Sequence, residues 1–543
     1  MSLRLGAAAA AAAGVGLAAY LYYRRQQVED NKSRLAEATD DGVRVAALRE
    51  LFARIYGSAP QYVALAGGRV NLIGEHVDYP DVQFAKEPKV HLFSMGGAIQ
   101  NSYLVAAAAR DDGKVVMCHA QVSGGTYTVA LSDLEALEAQ AEADRKGGVP
   151  MEQRSTPVWA MHTLGAVTEM LRGGVQCQGL SLLLTSNVPH GAGMSNSAAN
   201  CVALGLAFNA LYPALGLDTE IKLVTFARSS ENSKFAGGHC GWLDQLLIVC
   251  SKASMLTKID YADNSVEHFE SRLPSHIQFV AFNTNVPHVL AESDYSHRVR
   301  ELTLGVEFLS AQLDRNAGGP NLTLGTINAL LAAVDAATPG NAPIDLNDLC
   351  GGALARFDIV KGEMAEPLGP KEVMRITKAV EASFVPPADL PMHKGKGPLA
   401  SFGVVLRRMR HQKMSSLLVP LAGEAVANGD ASLFGMLLDL EGQSLRMSGD
   451  FMITGDNGAQ DALLDCALAA GKALRMSVHG RMLGGGGGGN VLLMVDAKDA
   501  SLRRKWEEDV KVAYREWAER QFPGKGIEAT VIVPAISAGA HLV

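Results

Sequence analysis

The segment Gly68–Tyr79 carries polar side chains whose types and spacing could do chemistry. It reads GRVNLIGEHVDY, so an apolar, strand-like run ends in a glycine and opens into Glu75, His76 and Asp78. Carboxylates accept hydrogen bonds in pairs and an imidazole can donate and accept, so this cluster could bind several hydroxyl groups of a small polyol. The same residues also fit a turn with a helix cap or part of a metal site, and the segment alone leaves these alternatives open.

A second segment, Pro189–Ala199, is a glycine-rich loop of sequence PHGAGMSNSAA between the apolar run 180–184 and a helical pattern that continues through Leu206. The first N–H groups of a helix lack intrahelical partners and favour anions, so such a loop can bind phosphate. Small hydroxyl residues leave room for the phosphate and can reach a cation. The segment has no lysine, which excludes the ordinary P-loop, and it lacks the dinucleotide fingerprint. A capped helix start after a strand is the alternative.

Six consecutive glycines, Gly484–Gly489, form the third segment and lead directly into the apolar run Asn490–Val495. A flexible linker would not be expected to run straight into a buried strand. Glycines at such a place permit positive φ angles and close approach of the backbone. We therefore expect close backbone approach at this loop, with a plain turn as the alternative.

Together the three segments resemble the GHMP small-molecule kinases, and the galactokinase branch most closely. The first is similar to that branch's signature GRVNLIGEHTDY and differs from it only at Val77. The second resembles the family's phosphate loop PxGSGLSSSAA. The third, from Arg481 to Asn490, resembles RMTGGGFGGC.

Two shorter segments extend the resemblance along the chain. Residues 240–245, CGWLDQ, resemble the branch's CGIMDQ. Residues 283–288, NTNVPH, precede Tyr295 and Arg298, which is similar to NSxVxH followed by YxxR. The resemblance covers about residues 44–540 in order.

The resemblance implies that the protein phosphorylates the anomeric hydroxyl of galactose with ATP and Mg²⁺. Asp244 would take the proton from the sugar hydroxyl, and Arg69 beside it would keep Asp244 ionised and stabilise developing charge. The positions that match the branch's sugar-binding residues are Glu75, His76, Asp78, Gly241 and Tyr295. Those that match the phosphate loop are Gly191, Gly193, Ser195, Asn196 and Ser197, and those that match metal positions are Asn196 and Glu231.

The sequence departs from the family pattern at several positions. Asn196 replaces the middle serine of the phosphate loop, and Leu483 and Gly487 replace Thr and Phe in the third motif. Residues 80–95 replace a shorter NGGxVLP after the signature, and residues 441–446 read EGQSLR in place of SHxSLR. Two alternatives therefore stay open. One is a GHMP kinase for another sugar, such as N-acetylgalactosamine, arabinose or a uronic acid. The other is a sugar- and ATP-binding regulator with impaired catalysis.

The fold that the resemblance implies is a two-lobed GHMP kinase fold of α+β or α/β class. The N-terminal lobe, residues 41–275, would be ribosomal S5 domain 2-like and carry the signature and the phosphate loop. The C-terminal lobe, residues 276–543, would be ferredoxin-like, with the active site between the lobes. Hydrophobic periodicity in addition predicts a helix over Val43–Tyr56 and a strand over Tyr62–Ile73.

The composition limits what else the chain could be. Of its 543 residues 48% are hydrophobic, which allows a sizeable core and excludes global disorder. The formal net charge of −8 disfavours binding to nucleic acid or anionic membranes through overall basicity. Seven scattered cysteines without a CxxC pair indicate neither a disulfide framework nor a common zinc site, so we expect a reducing compartment. The expected partners are a sugar and ATP, and the sequence indicates no oligomeric state.

Residues 1–34 form an extension that differs from the rest of the chain. Leu5–Tyr23 is uncharged, contains seven consecutive alanines and is followed by Arg24 and Arg25. Such a segment, if helical, would span about 28 Å, just enough to cross a bilayer. It fits a membrane anchor, a disordered or cleaved targeting extension, or a soluble Ala-rich helix. The expected location is the cytoplasm, with the kinase domain facing the cytosol if the extension is an anchor.

Overall fold

The computed structural model of the chain describes residue 35 and residues 38–79, 91–122, 125–150, 153–286, 294–313, 323–338, 368–446, 458–486 and 489–543. Within these ranges no helix combines the length and apolar composition that a transmembrane span needs. The proposed anchor Leu5–Tyr23, residues 80–90 of the stretch after the signature, and Gly487 lie outside the described residues.

An eight-stranded mixed sheet organises the N-terminal part of the described chain. Its strands are β1 (Tyr62–Ile73), β2 (Phe93–Ala109), β3 (Lys114–His119), β4 (Tyr127–Ala130), β5 (Leu180–Ser186), β6 (Met255–Asp260), β7 (Ser265–Glu270) and β12 (His541–Leu542). The main path is β12-β1-β2-β5-β3-β4, while β6 pairs with β2 and β7 pairs with β6. Strands β3 and β5 are parallel, and the other pairs are antiparallel.

Strands β1 and β2 position the signature. Their register shifts between Gly67 and Arg69 and again between Asn71 and Ile73. Irregularities of this kind turn side chains to new directions, and these two flank residues whose side chains serve the site. A Cβ at Gly96 would lie 2.2 Å from the carbonyl oxygen of Val70, so only a glycine allows β2 to approach β1 this closely.

Helices of the N-terminal part pack around this sheet. They are α1 (Asp41–Tyr56), α2 (Leu134–Lys146), α3 (Val158–Arg172), α4 (Asn196–Leu211), α5 (Glu220–Glu231) and α6 (Leu243–Cys250). Helix α1 begins where Asp40 Oδ1 accepts a hydrogen bond from the N–H of Val43, and it ends at Gly57 with a left-handed φ of 82°. The helix and the strand predicted from periodicity in this region are both confirmed.

A layer of helices follows in the second half of the chain. They are α7 (Asp294–Gln312), α8 (Leu324–Ala337), α9 (Pro370–Ser383), α10 (Pro398–Asn428) and α11 (Ala431–Arg446). Helix α10 is 31 residues long, and the polar run Arg407–Lys413 within it is buried throughout. Buried charges require partners. Arg407 pairs with Asp335 at 2.7 Å, and Arg408 pairs with Glu301 at 2.7 Å.

A four-stranded antiparallel sheet forms the remaining described part. Its strands are β8 (Ile277–Asn283), β9 (Val478–Met482), β10 (Asn490–Asp496) and β11 (Thr530–Ile532), in the order β11-β8-β10-β9. Alternate residues of β10 point to opposite faces. Val491 and Leu493 pack with α12 (Ala459–Leu474) and α13 (Ala500–Gln521), whereas Leu492 and Met494 pack with α10 and α11.

The two sheets agree with the expected fold class, an α+β arrangement with two lobes. Strand β8, the first of the second sheet, begins at Ile277, and β12 near the end of the chain returns to pair with β1. The division of the chain at residue 275 into two lobes stays a prediction.

Candidate active site

Asp244 and Arg69 form the charged centre of the candidate site. Asp244 lies in the first turn of α6, where the helix dipole favours a carboxylate. Its Oδ1 lies 2.8 Å from both Nε and Nη2 of Arg69, and its Oδ2 accepts a hydrogen bond from Ser195 Oγ at 2.6 Å. Arg69 is buried, and its Nη1 donates to the carbonyl oxygen of Gly193. The two residues predicted to be catalytic therefore lie together and contact the phosphate loop.

Arg69 is held in its charged form. Burial alone would lower the pKa of its guanidinium, but the carboxylates of Asp244 and Glu75 outweigh this effect and raise the pKa above its ordinary value. A permanent positive charge next to a carboxylate favours the ionised carboxylate. Arg69 thus places a fixed positive charge beside the carboxylate of Asp244.

The loop at residues 189–199, which resembles the family's phosphate loop, has left-handed backbone angles at three positions. Gly191 and Gly193 have φ angles of 64° and 67°, and Ser195 has a left-handed φ of 58° directly before α4. The third glycine-rich segment packs against this loop. A Cβ at Gly193 would lie 2.5 Å from the carbonyl oxygen of Leu483, and one at Gly484 would lie 2.7 Å from Cα of Gly193. The expected close backbone approach is confirmed.

Asn196 supports the phosphate loop through its side chain. Its Nδ2 donates to Ser186 Oγ and to the carbonyl oxygen of Val188, each at 2.8 Å. Because a carbonyl can only accept, the bond to Val188 fixes which end of the amide faces the loop. The amide nitrogen thus takes part in hydrogen bonds within the protein. Oδ1 is the atom of this side chain that could act as a metal ligand.

Glu231 lies beside the phosphate loop, at the end of α5. Its Oε1 accepts a hydrogen bond from Ser197 Oγ at 2.5 Å, and its Oε2 accepts one from Gln245 Nε2 at 2.6 Å. Burial, followed by the negative charge of Asp244, raises the pKa of Glu231 to about 7. A cation at this carboxylate would restore its ionised form.

Asp78 lies against the turn that leads into α6. Its Oδ2 accepts a hydrogen bond from the N–H of Leu243 at 3.1 Å. A Cβ at Gly241 would lie 1.9 Å from the carbonyl oxygen of Asp78 and 2.2 Å from its Oδ2, so this position accepts only glycine. Burial, followed by the charge of Asp244, raises the pKa of Asp78 to about 6.

We expect the raised pKa of Asp78 to make stability depend on pH. A carboxyl group with a higher pKa in the folded chain stabilises the fold below its ordinary pKa, and this contribution is lost as the pH rises to about 6. The free energy of unfolding of the wild type, relative to Asp78→Asn, should therefore fall by about 2 kcal/mol between pH 4 and pH 7. Urea unfolding of both proteins measures this difference, and a difference independent of pH would contradict the assignment.

Glu75 and His76 occupy the turn that follows β1. His76 is buried with a φ of 59°, and its Nδ1 lies 2.6 Å from the hydroxyl of Tyr79. Burial, reinforced by nearby positive charge, lowers the pKa of His76 well below its ordinary value, so the ring is neutral. Glu75 Oε2 accepts hydrogen bonds from Asn71 Nδ2 at 3.1 Å and from Arg481 Nη1 at 2.7 Å.

Of the residues matched to sugar binding, Glu75, His76, Asp78 and Gly241 are brought together around the signature turn. Tyr295 lies in the first turn of α7, and the structure describes its backbone but not its side chain. A contact between Tyr295 and a sugar stays a prediction.

Residues of α10 and α11 complete the site, and sequence analysis did not assign them to it. His411 Nε2 lies 3.1 Å from the carbonyl oxygen of Glu75, and Glu441 Oε1 accepts from the N–H groups of Gly74 and Glu75. The sequence offered one indication of His411, because the polar run 407–413 interrupts an otherwise apolar helix. Such a run on a buried helix indicates that its side chains have buried polar partners, and for His411 the partner is the signature turn.

Two family models match the chain. The model described as "GHMP kinases N terminal domain" matches residues 160–252, which include the phosphate loop and Asp244. The model described as "Galactokinase galactose-binding signature" matches residues 50–83, which include Arg69 and the turn 74–79.

A curated relative and a solved structure are similar to the chain. The galactokinase of Roseiflexus sp. (strain RS-1) is 32% identical over 262 residues, which are 48% of this chain and 58% of that protein. The match thus spans little more than half the length of this relative. The crystal structure of Lactococcus lactis galactokinase complexed with galactose is 20% identical, with a TM-score of 0.62, and the alignment covers 92% of this chain and 99% of that one. This structural likeness shows the expected GHMP kinase fold. Over the residues that these comparisons match, the chain is similar to galactokinases and to the N-terminal domain of GHMP kinases.

Proposed function

We propose that the protein transfers the γ-phosphoryl group of ATP to the anomeric hydroxyl of galactose, giving galactose 1-phosphate and ADP. The observation that carries the proposal is the contact among Arg69, Asp244 and Ser195, which joins the sugar signature to the phosphate loop. The match to the galactose-binding signature and the similarity to a curated galactokinase support galactose as the acceptor.

Asp244 is the base in this reaction. Its carboxylate takes the proton of the anomeric hydroxyl as the sugar oxygen forms a bond to the γ-phosphorus. The bond from the γ-phosphorus to the bridging oxygen then breaks, and ADP leaves. Phosphoryl transfer depends mainly on positioning and on stabilisation of charge. Arg69 supplies the charge, and its bond to Gly193 ties it to the loop that would hold the phosphates.

The signature turn supplies acceptors for the sugar hydroxyls. Glu75 Oε1 forms no hydrogen bond with any described residue. Asp78 uses one of its oxygens, Oδ2, to accept a hydrogen bond from the turn before α6. A site built to bond a hydroxyl discriminates strongly against an analogue that lacks it. These two carboxylates therefore provide the means to distinguish sugars by their hydroxyl pattern.

The nucleotide would lie along the phosphate loop and α4. The first N–H groups of α4 and the positive end of its dipole suit the phosphates of ATP. Half-buried aromatic rings lie beyond His190 of the loop, where Trp159 packs 6.1 Å from His119 and 6.3 Å from Tyr127. We assign the adenine base to this aromatic cluster, because a flat ring can stack there.

Mg²⁺ would be held by Ser197 and Glu231, with Asn196 Oδ1 as a further oxygen donor. A hydroxyl and a carboxylate suit this hard cation. Among the described residues no group of three or more His, Cys, Asp or Glu side chains could hold a metal. In kinase sites, substrate phosphates and water complete the coordination of Mg²⁺. When bound, Mg²⁺ neutralises charge on the β- and γ-phosphates.

We expect Ser197→Ala and Glu231→Gln to raise the Mg²⁺ concentration for half-maximal activity by at least about tenfold, because each removes an oxygen donor. Ser230→Ala is the matched control, since Ser230 neighbours Glu231 but its hydroxyl donates to the carbonyl of Phe226 within α5. Initial rates across a Mg²⁺ titration at saturating ATP measure the effect. An unchanged Mg²⁺ requirement in both variants would exclude this pair as the metal site.

We further propose that residues 41–275 and 276–543 act as the two lobes of the kinase. An ATP-dependent reaction needs a compartment that contains ATP, so we place the kinase domain in the cytosol. Residues 5–23 would then tether it to a membrane from the cytosolic side. Carbonate extraction of cells that express the full chain tests the tether, and complete release into the soluble fraction would contradict it.

A panel of sugars tests the proposed acceptor. The full chain is incubated with MgATP and galactose, N-acetylgalactosamine, arabinose or galacturonic acid, and ADP release is followed. Galactose should give the highest kcat/KM. A higher value for another sugar would reassign the acceptor within the same reaction. Binding of ATP and sugar without ADP release would indicate a regulator that has lost catalysis.

A further inference from the structure

We propose that Glu441 and Arg481 are positioning residues that hold Glu75 and its backbone in the geometry that binds the sugar. Both come from elements far along the chain, α11 and β9. Arg481 is the first residue of the third segment, whereas Glu441 lies outside all three segments. The inference rests on the proposed function, because it explains how the acceptor side of that site is fixed.

Glu441 fixes the backbone of the signature turn. Its side chain is fully buried, and Oε1 accepts hydrogen bonds from the N–H of Gly74 at 2.8 Å and of Glu75 at 3.0 Å. Ser415 Oγ donates to the same oxygen. Burial raises the pKa of Glu441, while Arg481, Ser415 and the N–H of Glu75 favour its ionised form. Hydrogen bonds to an ionised acceptor are stronger than neutral ones, so this carboxylate holds Gly74 and Glu75 in place.

Arg481 connects Glu441 to the side chain of Glu75. Its Nε lies 2.9 Å from Glu441 Oε2, and its Nη1 lies 2.7 Å from Glu75 Oε2. The contact with Glu441 is an ion pair, because Nε itself donates to the carbonyl oxygen of Leu72 at 3.2 Å. Nη2 donates to the carbonyl oxygen of Asn71 at 2.7 Å. Arg481 is fully buried, so one guanidinium compensates two buried carboxylates and fixes their relative position.

The consequence for the sugar lies in the two oxygens of Glu75. Arg481 and Asn71 occupy Oε2, whereas Oε1 bonds to none of the described residues. The network therefore fixes the rotation of the carboxylate and leaves one oxygen for a sugar hydroxyl. An acceptor fixed in advance loses little entropy when it binds its substrate.

Gly442 allows α11 to approach β9 closely enough for this contact. A Cβ at this position would lie 2.6 Å from the carbonyl oxygen of Gly480 and 3.1 Å from Cβ of Arg481. This is the place where the chain reads EGQSLR instead of SHxSLR. Gly442 thus permits the close approach of α11 to β9 that brings the buried carboxylate of Glu441 to Arg481.

The kinetic test uses the full chain with galactose and MgATP. Glu441→Gln keeps one oxygen for the backbone N–H groups but places an uncharged amide against Arg481. Loss of a charged hydrogen bond in this network should raise KM for galactose by about ten- to a hundredfold and leave KM for ATP within about twofold. Glu441→Asp keeps the charge and should recover part of the loss. Arg481→Lys is the second variant, since one ammonium cannot reproduce the forked contact with both carboxylates.

Asp439→Asn is the matched control. Asp439 lies on the same helix and also faces β9, where it accepts from the N–H of Gly480 at 3.0 Å and lies 2.7 Å from His479 Nδ1. It has no contact with the signature turn among the described residues. This variant should leave both KM values unchanged. A rise in KM for galactose of equal size in Asp439→Asn, or an equal rise in KM for ATP in Glu441→Gln, would overturn the proposal.

A measurement without substrate separates this inference from the proposed function. Hydrogen–deuterium exchange of the peptide that contains Gly74 and Glu75 should be at least about tenfold faster in Glu441→Gln than in the wild type, because the two N–H groups lose an ionised acceptor. Asp439→Asn should exchange like the wild type there. Equal exchange in Glu441→Gln and the wild type overturns the inference. Faster exchange in a protein that does not phosphorylate galactose supports it while refuting the proposed acceptor.

Discussion

Asp244→Asn is expected to lower kcat for galactose phosphorylation by about a thousandfold, the contribution typical of a general base. An asparagine can still accept from Arg69 through its amide oxygen and can donate from its amide nitrogen to Ser195 Oγ, but it cannot take a proton from the sugar. Affinity for galactose and for ADP should therefore change by no more than about threefold. Steady-state kinetics and calorimetric titration separate the two effects.

Asp260→Asn is the matched control for that change. Asp260 also pairs with a neighbour, His91, but it lies at the end of β6 and outside the site. Its kcat should equal that of the wild type. If Asp244→Asn retained more than a tenth of the wild-type kcat, Asp244 would not be the base.

Gly241→Ala is the second change with a large expected effect. The added methyl group would overlap both the carbonyl oxygen and the carboxylate of Asp78, so either the turn before α6 or Asp78 must move. Overpacking of this kind costs up to about 3 kcal/mol, which corresponds to about a hundredfold rise in KM for galactose. Melting temperature and KM for both substrates should be measured together, because the effect should fall mainly on the sugar.

Gly397→Ala is the control for the glycine substitution. No atom lies within 4 Å of a Cβ at Gly397, and its φ of −72° suits any residue. This variant should behave as the wild type. A Gly241→Ala protein with an unchanged KM for galactose would mean that Asp78 does not bind the sugar from its present position.

Much of the candidate site could be predicted from sequence because its parts are local. The signature turn follows directly on β1, and the phosphate loop lies directly before α4, so each motif contains both the residues and the element that presents them. The glycines 484–489 were predicted to permit a close approach, and the structure identifies the neighbour as the phosphate loop.

The residues that periodicity could not assign are those that reach the site from distant elements. His411 and Glu441 lie on α10 and α11, more than 300 residues after the turn that they contact. Their spacing in the sequence contains no information about this contact, because it arises from the packing of α11 on β9 and of α10 on the N-terminal sheet. A buried carboxylate also looks like an ordinary exposed one until its surroundings are known.

The effect of Asn196 illustrates the same point. Its replacement of a serine suggested a change at the metal. Its amide nitrogen instead donates to the carbonyl oxygen of Val188, so the substitution also supports the backbone before the proposed phosphate loop. We expect this support to offset part of the difference between an amide and a hydroxyl at this position.

The central claim is that one carboxylate–guanidinium pair carries phosphoryl transfer to the anomeric hydroxyl of galactose. The most direct test is identification of the product by NMR after incubation of the full chain with galactose and MgATP. We expect galactose 1-phosphate, with ³¹P coupling to the anomeric proton, in the wild type and none above background in Asp244→Asn. Phosphate on another hydroxyl, hydrolysis of ATP without a phosphorylated sugar, or the same product in Asp244→Asn would contradict it.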